Sequence, residues 1–309
     1  MTFAIIAAVV FAAFIAALIY AYKTAFYISP RKKFEPFTLP DDEQYRSAKA
    51  VISELMTELE AIDFEQVFIK TFDGKKLAAR YYHVRDGAPL QIQFHGYRGS
   101  ALRDFCGGAK LARECGHNVL LVDQRAHAHS EGCTITFGVK ERFDCLEWIK
   151  YACERFGSDV PIILAGVSMG ASTVLMASEL DLPENVVGII ADCPYSSPEK
   201  IIRKVCGDIG LKPGFIYPLI QLSALALGRF DPRSATVVDS VRKARIPVLI
   251  IHGESDQFVP CEMSREIYDV CASPKALLTV PNAAHGMSYI VDPESYRREV
   301  EKFLSSVIK

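Results

Sequence analysis

The sequence predicts an α/β fold with a mostly parallel central sheet flanked by helices, a small helical cap and an N-terminal transmembrane helix. Short apolar runs alternate with helical segments along residues 65–309, which requires crossover connections between parallel strands. Residues 3–22 are apolar, and Lys23 is the first charged side chain. The strict alternation breaks between Asp192 and Ala244, where two helical segments follow one another.

The predicted sheet begins with a hairpin. Residues 66–71 and 76–83 alternate in polarity and are joined by Phe72-Asp73-Gly74, a strong turn signal. Six apolar runs then predict the other strands, and five helical segments alternate with them. The runs are residues 89–94, 118–122, 161–165, 186–191, 246–251 and 276–280, and the helices lie near 102–115, 138–156, 169–180, 260–271 and 293–307.

The apolar N-terminal run predicts a membrane anchor, because about 20 apolar residues span a hydrocarbon core as a helix. A cleaved signal peptide is the alternative, although it favours a basic start and a shorter apolar stretch. Cations gather on the C-terminal side of the run, so the positive-inside rule predicts a single-pass cell-membrane protein with a cytoplasmic domain. Aromatic residues suited to the interface are Tyr20, Tyr22, Phe26 and Tyr27, and the cations are Lys23, Arg31, Lys32 and Lys33.

The predicted organisation is an anchor at residues 1–22, a linker and amphipathic helix at 23–64, and the main domain at 65–309. Three prolines stiffen residues 23–40. Asp41 and Asp42 suit a helix start, and apolar residues recur at helical spacing from Val51 to Leu59. The cap is expected at about 194–240, over the strand ends. Its apolar residues either line an acyl pocket or pack the cap onto the core; they are Phe215, Ile216, Leu219, Leu222, Leu225 and Leu227.

Charge and cysteine content exclude several function classes. The net charge is -2 and no basic cluster is interleaved with aromatic residues, so no nucleic-acid partner is expected. The nine cysteines are scattered and contain no Cys-x-x-Cys pair, so neither a metal site nor a disulfide framework is predicted. Free thiols fit a reducing compartment, and an anaerobic cell envelope would accommodate them equally. The sequence does not predict an oligomeric state.

Gly166-Val167-Ser168-Met169-Gly170 is the most informative motif in the chain. It follows an apolar run and precedes a helical stretch, so it predicts a strand, a sharp turn and a helix. A turn of this kind lifts the serine hydroxyl clear of the sheet edge. Small residues around a serine also occur in ordinary turns, so Ser168 is the candidate nucleophile only if a base and an acid accompany it.

Two downstream loops supply these companions. Asp256 lies after the apolar run 246–251, and His285 lies after the run 276–280. A serine nucleophile needs a histidine base and a carboxylate that fixes the tautomer of that histidine. We therefore assign the base to His285 and the acid to Asp256. The alternatives are His252 for the base, and Asp192 at the end of another apolar run or the loop residue Glu254 for the acid.

An oxyanion formed during acyl transfer also needs backbone N–H donors. The amide of Met169 opens the predicted helix, so it has no intrahelical acceptor and serves as the first candidate. The second candidate is the amide of Tyr97, in the loop that begins with His95-Gly96 after the apolar run 89–94. A simple glycine turn is the alternative interpretation of this loop.

The motifs taken together resemble the α/β-hydrolase superfamily, and within it the bacterial serine-aminopeptidase-like and Bem46-like hydrolases, many of which carry an N-terminal membrane segment. The resemblance covers roughly residues 65–309. It departs from the family pattern at Ala126 and Ala128, where small residues, often glycine, are usual. The motifs that carry it are His95-Gly96, residues 123–130, residues 166–170, residues 252–256 and Ala284-His285-Gly286.

The resemblance implies hydrolysis more firmly than any particular substrate. The expected function is cleavage of carboxylic esters of a small-molecule acyl substrate through an acyl-enzyme, without a cofactor. Peptidase, thioesterase, lipase and acyltransferase chemistry use the same triad and remain alternatives. A membrane-tethered binding protein without catalytic activity is an alternative from a different class.

Overall fold

The computed structural model describes residues 1–30, 43–46 and 48–308. Within this part of the chain, eight strands form one sheet, in the spatial order β1-β2-β4-β3-β5-β6-β7-β8. The strands are β1 (Glu65–Lys70), β2 (Lys76–Tyr82), β3 (Leu90–Phe94), β4 (Asn118–Asp123), β5 (Ile162–Val167), β6 (Val186–Asp192), β7 (Val248–Gly253) and β8 (Lys275–Val280).

The sheet has the arrangement that the sequence predicts. The hairpin strands β1 and β2 pair antiparallel, β2 pairs antiparallel with β4, and all other neighbours are parallel. Strands β3, β4 and β7 are buried along their whole length because helices cover both faces of the sheet. The predicted α/β-hydrolase fold is therefore confirmed.

The helices lie on both faces of this sheet and bury two hydrophobic clusters against it. The last predicted helix, residues 293–307, has the bounds of α13. The helices are α1 (Thr2–Ala25), α2 (Glu43–Arg46), α3 (Lys49–Glu60), α4 (Ala101–Asp104), α5 (Cys106–Glu114), α6 (Glu141–Phe156), α7 (Met169–Ala177), α8 (Pro198–Asp208), α9 (Pro213–Ser223), α10 (Val237–Val241), α11 (Cys261–Val270), α12 (Ser288–Val291) and α13 (Pro293–Val307).

The apolar helix α1 is long enough to cross a membrane, and most of it is exposed. Its C-terminal end differs, because it is built into the main domain. Phe26 is fully buried and makes edge-to-face contacts with Phe137 and Phe230. Tyr27 forms a β-bridge with Thr134. Residues 23–30 are therefore a docked segment, whereas residues 31–40 of the predicted linker lie outside the described part of the chain.

The segment before the main domain packs against it. Helix α3 buries Ile52, Leu55 and Leu59 in the same cluster as residues of α5. The apolar spacing of the sequence predicts this helix and its packing. The predicted helix start at Asp41 and Asp42 lies outside the described residues.

The predicted cap contains α8, α9 and a π-helical turn, Ala224–Gly228, followed by α10. Ser197 caps α8 by accepting a hydrogen bond from the Lys200 amide, and a proline occupies the first turn of both α8 and α9. Helix α9 packs against α1 and α8. The cap thus joins the N-terminal helix to the main domain.

The turn after β4 contains the two alanines that depart from the family pattern. Ala126 and Ala128 both have positive φ, 68° and 37°. This is the conformation in which glycine is favoured, since a Cβ atom crowds the backbone there. The turn keeps its shape in this chain with alanine in two strained positions.

Candidate active site

The Ser168 turn lies between β5 and α7, near the middle of the sheet. Ser168 has φ of 56° and ψ of -115°, outside the regions that a serine ordinarily adopts. Its amide donates to the carbonyl oxygen of Asp192 at 2.8 Å, which ties the turn to the neighbouring strand β6. The strained backbone directs the hydroxyl away from the sheet edge.

The glycines of this turn allow two close backbone approaches. A Cβ atom on Gly166 would lie 2.3 Å from the backbone of Gly170, and one on Gly170 would lie 1.7 Å from the Phe94 carbonyl oxygen. Both distances are far below van der Waals contact, so only glycine fits. Helix α7 can therefore start directly beside the end of β3.

His285 lies in the loop after β8, and its side chain contacts Ser168. The distance from His285 Nε2 to Ser168 Oγ is 2.9 Å. On the other side of the ring, His285 Nδ1 lies 2.7 Å from Asp256 Oδ2. A carboxylate at Nδ1 favours the tautomer with a proton there, so Nε2 is free to accept the serine proton.

Asp256 lies in the loop after β7 and is buried. Its Oδ1 accepts hydrogen bonds from the amides of Phe258 and Val259, at 2.9 and 2.8 Å. Burial alone would raise the pKa of this carboxyl group. The hydrogen bonds from His252 and His285 outweigh burial and hold the pKa well below its ordinary value. Asp256 is therefore ionised across the physiological pH range.

The predicted oxyanion loop runs beside Ser168. A Cβ atom on Gly96 would lie 3.3 Å from Ser168 Cβ. The Gly96 amide is occupied, since it donates to Asp104 Oδ2 at 2.7 Å. Among the hydrogen bonds of the described residues, none uses the amides of Tyr97 or Met169 as donor. These two amides remain our candidates for the oxyanion donors.

Comparison with protein families gives two matches along the chain. Residues 92–215 match the family described as "alpha/beta hydrolase fold". Residues 218–285 match the family described as "Serine hydrolase (FSH1)". The first match contains Ser168, and the second contains Asp256 and His285.

Curated relatives include the Bacillus subtilis protein YqkD, which is 28% identical over 198 residues, 64% of this chain and 65% of that protein. They also include the lysophosphatidylserine lipase ABHD12 of Danio rerio, 26% identical over 195 residues, 61% of this chain and 49% of that protein. The chain thus aligns with less than two thirds of the length of each of these relatives.

Solved structures show the same fold. The Pyrococcus furiosus esterase Pf2001 superposes with a TM-score of 0.65 at 22% identity, covering 89% of this chain and 97% of that one. Est1E of Butyrivibrio proteoclasticus, solved with ferulic acid, gives 0.61 at 24% identity, covering 78% and 99%. The chain has the α/β-hydrolase fold. At these identities the two structures support the fold alone.

The structure has a cavity of about 560 Å³ at Ser168. Its walls come from the Tyr97 loop, the start of α5, the His285 loop and α12, and from α2 and α3 through Tyr45 and Ile52. No described lining residue belongs to the cap at 194–240. This differs from the expectation that the cap covers the site. The apolar lining side chains are Ile52, Phe105, Val167, Phe258, Met287 and Ile290.

Two of the three alternative residues, His252 and Asp192, have other positions in the structure. His252 is buried, and its Nε2 lies 3.1 Å from Asp256 Oδ2 and 2.8 Å from the Val259 carbonyl oxygen. Two acceptors at Nε2 require a proton there, so His252 donates to the acid. Asp192 is buried beside the hydroxyl groups of Ser288 and Tyr296, and burial raises its pKa to about 6.

One group of side chains has metal-ligand composition. Cys193, Asp256 and His285 bring one donor atom each within 4.8 Å of one another. Burial raises the pKa of the Cys193 thiol well above its ordinary value, so the thiol stays protonated. Asp256 and His285 are already hydrogen-bonded to each other. This donor set does not fit a metal ion, because a metal requires the thiolate form of cysteine.

Three residues at the site have roles that the sequence-based prediction did not assign. Asp104 fixes the Tyr97 loop through the Gly96 amide. Tyr45 donates from its hydroxyl to the His285 carbonyl oxygen at 3.1 Å. His252 holds Asp256, although the sequence suggests it only as an alternative base. Periodicity and motif spacing contain no signal for such contacts. The Tyr45 contact joins segments that are distant in the chain, and the contacts of Asp104 and His252 depend on how each loop folds.

Proposed function

We propose that the chain is a membrane-tethered serine hydrolase that cleaves carboxylic esters. One observation carries the proposal: His285 lies between the Ser168 hydroxyl and the Asp256 carboxylate, at 2.9 and 2.7 Å. This is the arrangement that activates a serine nucleophile on several unrelated folds.

The first step forms an acyl-enzyme. Ser168 Oγ attacks the ester carbonyl carbon while His285 Nε2 takes the hydroxyl proton. The ionised Asp256 stabilises the imidazolium that forms. The amides of Met169 and Tyr97 donate to the oxyanion of the tetrahedral intermediate. His285 then gives its proton to the departing alcohol.

The second step releases the acid. Water loses a proton to His285 Nε2 and attacks the acyl carbon, and Ser168 leaves as the proton returns to its Oγ. Every proton in both steps moves through one imidazole nitrogen. The side chains and amides of this chain supply each group that the scheme needs.

Esters are favoured over other acyl substrates by two considerations. Pf2001 is described as an esterase, and the Danio rerio relative is described as a lysophosphatidylserine lipase. The apolar walls of the cavity suit an acyl chain or an aromatic acid. The small-molecule acyl substrate that we propose therefore has an uncharged acyl part.

We further propose that α1 is a retained membrane anchor with the hydrolase domain in the cytoplasm. Cleavage as a signal peptide would separate the apolar run from the domain, whereas the end of α1 is built into the domain and leads directly to the fully buried Phe26. The Tyr22 hydroxyl also lies 2.6 Å from Thr134 Oγ1. The cations that follow the apolar run favour the cytoplasmic side.

The experiment compares the full-length chain in detergent with its Ser168→Ala variant. Substrates are p-nitrophenyl esters of graded chain length and aminoacyl anilides, and a fluorophosphonate probe measures nucleophile labelling. We expect Ser168→Ala to lose labelling and to lower kcat on esters by about 10⁴-fold or more, because the triad acts as a unit. Hydrolysis of anilides but not esters would favour a peptidase instead.

Two matched pairs serve as controls. Ser305→Ala removes an exposed serine of α13, and Glu254→Gln neutralises the exposed carboxylate nearest to Asp256 in the chain. Both variants should keep full turnover, whereas Asp256→Asn should lower kcat by about 10³- to 10⁴-fold. Undiminished ester turnover by Ser168→Ala would refute the proposal.

A further inference from the structure

The cap carries an apolar face that points away from the main domain. Phe215 on α9 is 81% exposed, and Leu222, Leu225 and Leu227 are 41–46% exposed. The chain has no charged residue from Pro213 to Gly228. A helix face in contact with water normally carries charged side chains, so this face has the composition of a contact surface.

This face is continuous with α1. Helix α9 and the π-helical turn pack against α1, and Leu18 and Ala21 are the buried residues of α1. The contact therefore involves the C-terminal third of α1. Since the proposed function places α1 across the bilayer, α9 must lie at the depth of residues 18–25, at the membrane boundary. The inference rests on this part of the proposed function.

The cations near α9 suit a lipid headgroup region. Lys212 precedes α9 and Arg229 follows the π-helical turn, and both are exposed, as is Lys23 at the end of α1. At 1.5 Å per residue, Pro213–Gly228 is about 24 Å long, shorter than the roughly 30 Å hydrocarbon core. It is therefore too short to span the bilayer, and its outward apolar face and flanking cations are suited to lying along the membrane surface.

The edge of the sheet that carries Ser168 is attached to the C-terminal end of α1. The Tyr97 hydroxyl donates to the Ala25 carbonyl oxygen at 2.8 Å. Arg98 Nη2 donates to the carbonyl oxygens of Thr24 and Tyr27, at 2.8 and 3.2 Å. Tyr97 and Arg98 also line the cavity at Ser168. The cavity wall is thus fixed to the end of α1 at the membrane boundary.

We propose that α9 and the π-helical turn form a second membrane contact, in which Phe215, Leu222, Leu225 and Leu227 enter the boundary between headgroups and acyl chains. The occupant of the face is the lipid bilayer itself. Together with α1, this contact fixes the orientation of the domain and holds its Ser168 edge toward the lipid. Esters presented at the membrane surface are then the nearest substrates.

The test uses the full-length Phe215→Trp variant in vesicles of phosphatidylcholine and phosphatidylglycerol, with and without brominated acyl chains. We expect the emission of this tryptophan to shift to shorter wavelengths and to be quenched by the brominated lipids. The native Trp148 is fully buried in the main domain and gives the background from the unchanged protein. Leu222→Trp provides a second position on the same face.

Phe64→Trp is the matched control. Phe64 is 41% exposed and precedes β1, at the sheet edge opposite to Ser168. Its tryptophan should keep long-wavelength emission and should not be quenched. The same behaviour at positions 215 and 222 would overturn the proposal. A shift to shorter wavelengths without quenching would assign the face to a second copy of the chain instead.

Vesicle flotation separates this inference from the proposed function. A chain that does not float with the vesicles would refute both the anchor and the second contact. A chain that floats and is quenched at position 215, but does not hydrolyse esters, would support the contact and refute the esterase proposal.

Discussion

At the scale of single residues, the most constrained group is the Asp256 carboxylate. Its Oδ2 faces His285 and His252, and its Oδ1 accepts two backbone amides. Four donors saturate the oxygen atoms and hold the side chain in one orientation. Because these contacts keep the pKa of Asp256 low, protonation of this acid cannot account for a loss of activity near neutral pH.

The pKa of Asp192 is shifted in the opposite direction to that of Asp256, and this shift lowers the stability of the folded chain at neutral pH. An unfolded aspartate has a pKa of about 3.9, and burial raises the pKa of Asp192 to about 6. Below about pH 4 the Asp192 carboxyl group is protonated in both the folded and the unfolded chain. Between about pH 4 and pH 6 only the folded chain keeps this proton. The free energy of unfolding therefore falls as pH rises through this window, and the full loss is present above pH 6.

We predict that Asp192→Asn removes this loss. The difference in the free energy of unfolding between the variant and the native protein should be more favourable to the variant at pH 8 than at pH 4, by up to about 3 kcal/mol. Thermal unfolding of both proteins at the two pH values measures the difference. Asp181→Asn, which replaces an exposed carboxyl group, is the matched control. A Tm difference for Asp192→Asn that does not vary with pH would contradict the assignment.

At the scale of elements, α1 has two parts with different surroundings. Its first two thirds are exposed in the isolated chain, and its last turns and Phe26 belong to the core of the domain. An anchor joined by a loose linker would leave the domain free to rotate. This anchor is joined rigidly, because Tyr97 and Arg98 bind its terminal carbonyl groups.

We predict that Phe26→Ala destabilises the whole domain. Truncating a fully buried phenylalanine costs about 3–5 kcal/mol, which lowers Tm by roughly 10 °C for a domain of this size. Thermal unfolding in detergent measures the loss. Phe3→Ala, at an 85% exposed position of the same helix, is the control and should leave Tm unchanged. Equal Tm values for the two variants would show that α1 is not part of the folded core.

The cap shows how much of an element the sequence can predict. The apolar content of residues 213–228 predicts a buried role, either in an acyl pocket or in packing. In the structure Tyr217 and Ile220 are buried and Phe215 and Leu222 face outward. The apolar stretch covers the whole circumference of the helix, so its pattern cannot tell which side meets the domain.

At the scale of the whole molecule, the proposed anchor has a proposed orientation. The exposed apolar surface of α1 supports a membrane anchor, and the cations that follow it favour a domain on the cytoplasmic side.

We predict that a tag at the C-terminus is protected from external protease in spheroplasts of a bacterial host and is digested in inverted vesicles. The positive charge that follows the apolar run is the physical reason for this orientation. A tag at the N-terminus is the control and should show the reverse pattern. Digestion of the C-terminal tag in intact spheroplasts would place the domain outside the cell.

The sequence by itself determined the order of strands and helices, the parallel sheet and the motifs at the strand ends. These features follow from local periodicity and turn chemistry, which neighbouring residues encode. Only the tertiary structure decided which groups meet: that His252 faces Asp256, that Asp104 fixes the Tyr97 loop, that α3 rather than the cap lines the cavity, and that α1 ends inside the domain. The first two contacts depend on how a loop folds back on itself, and the other two on which remote segments the folded sheet brings to one edge. No local pattern of residues records either.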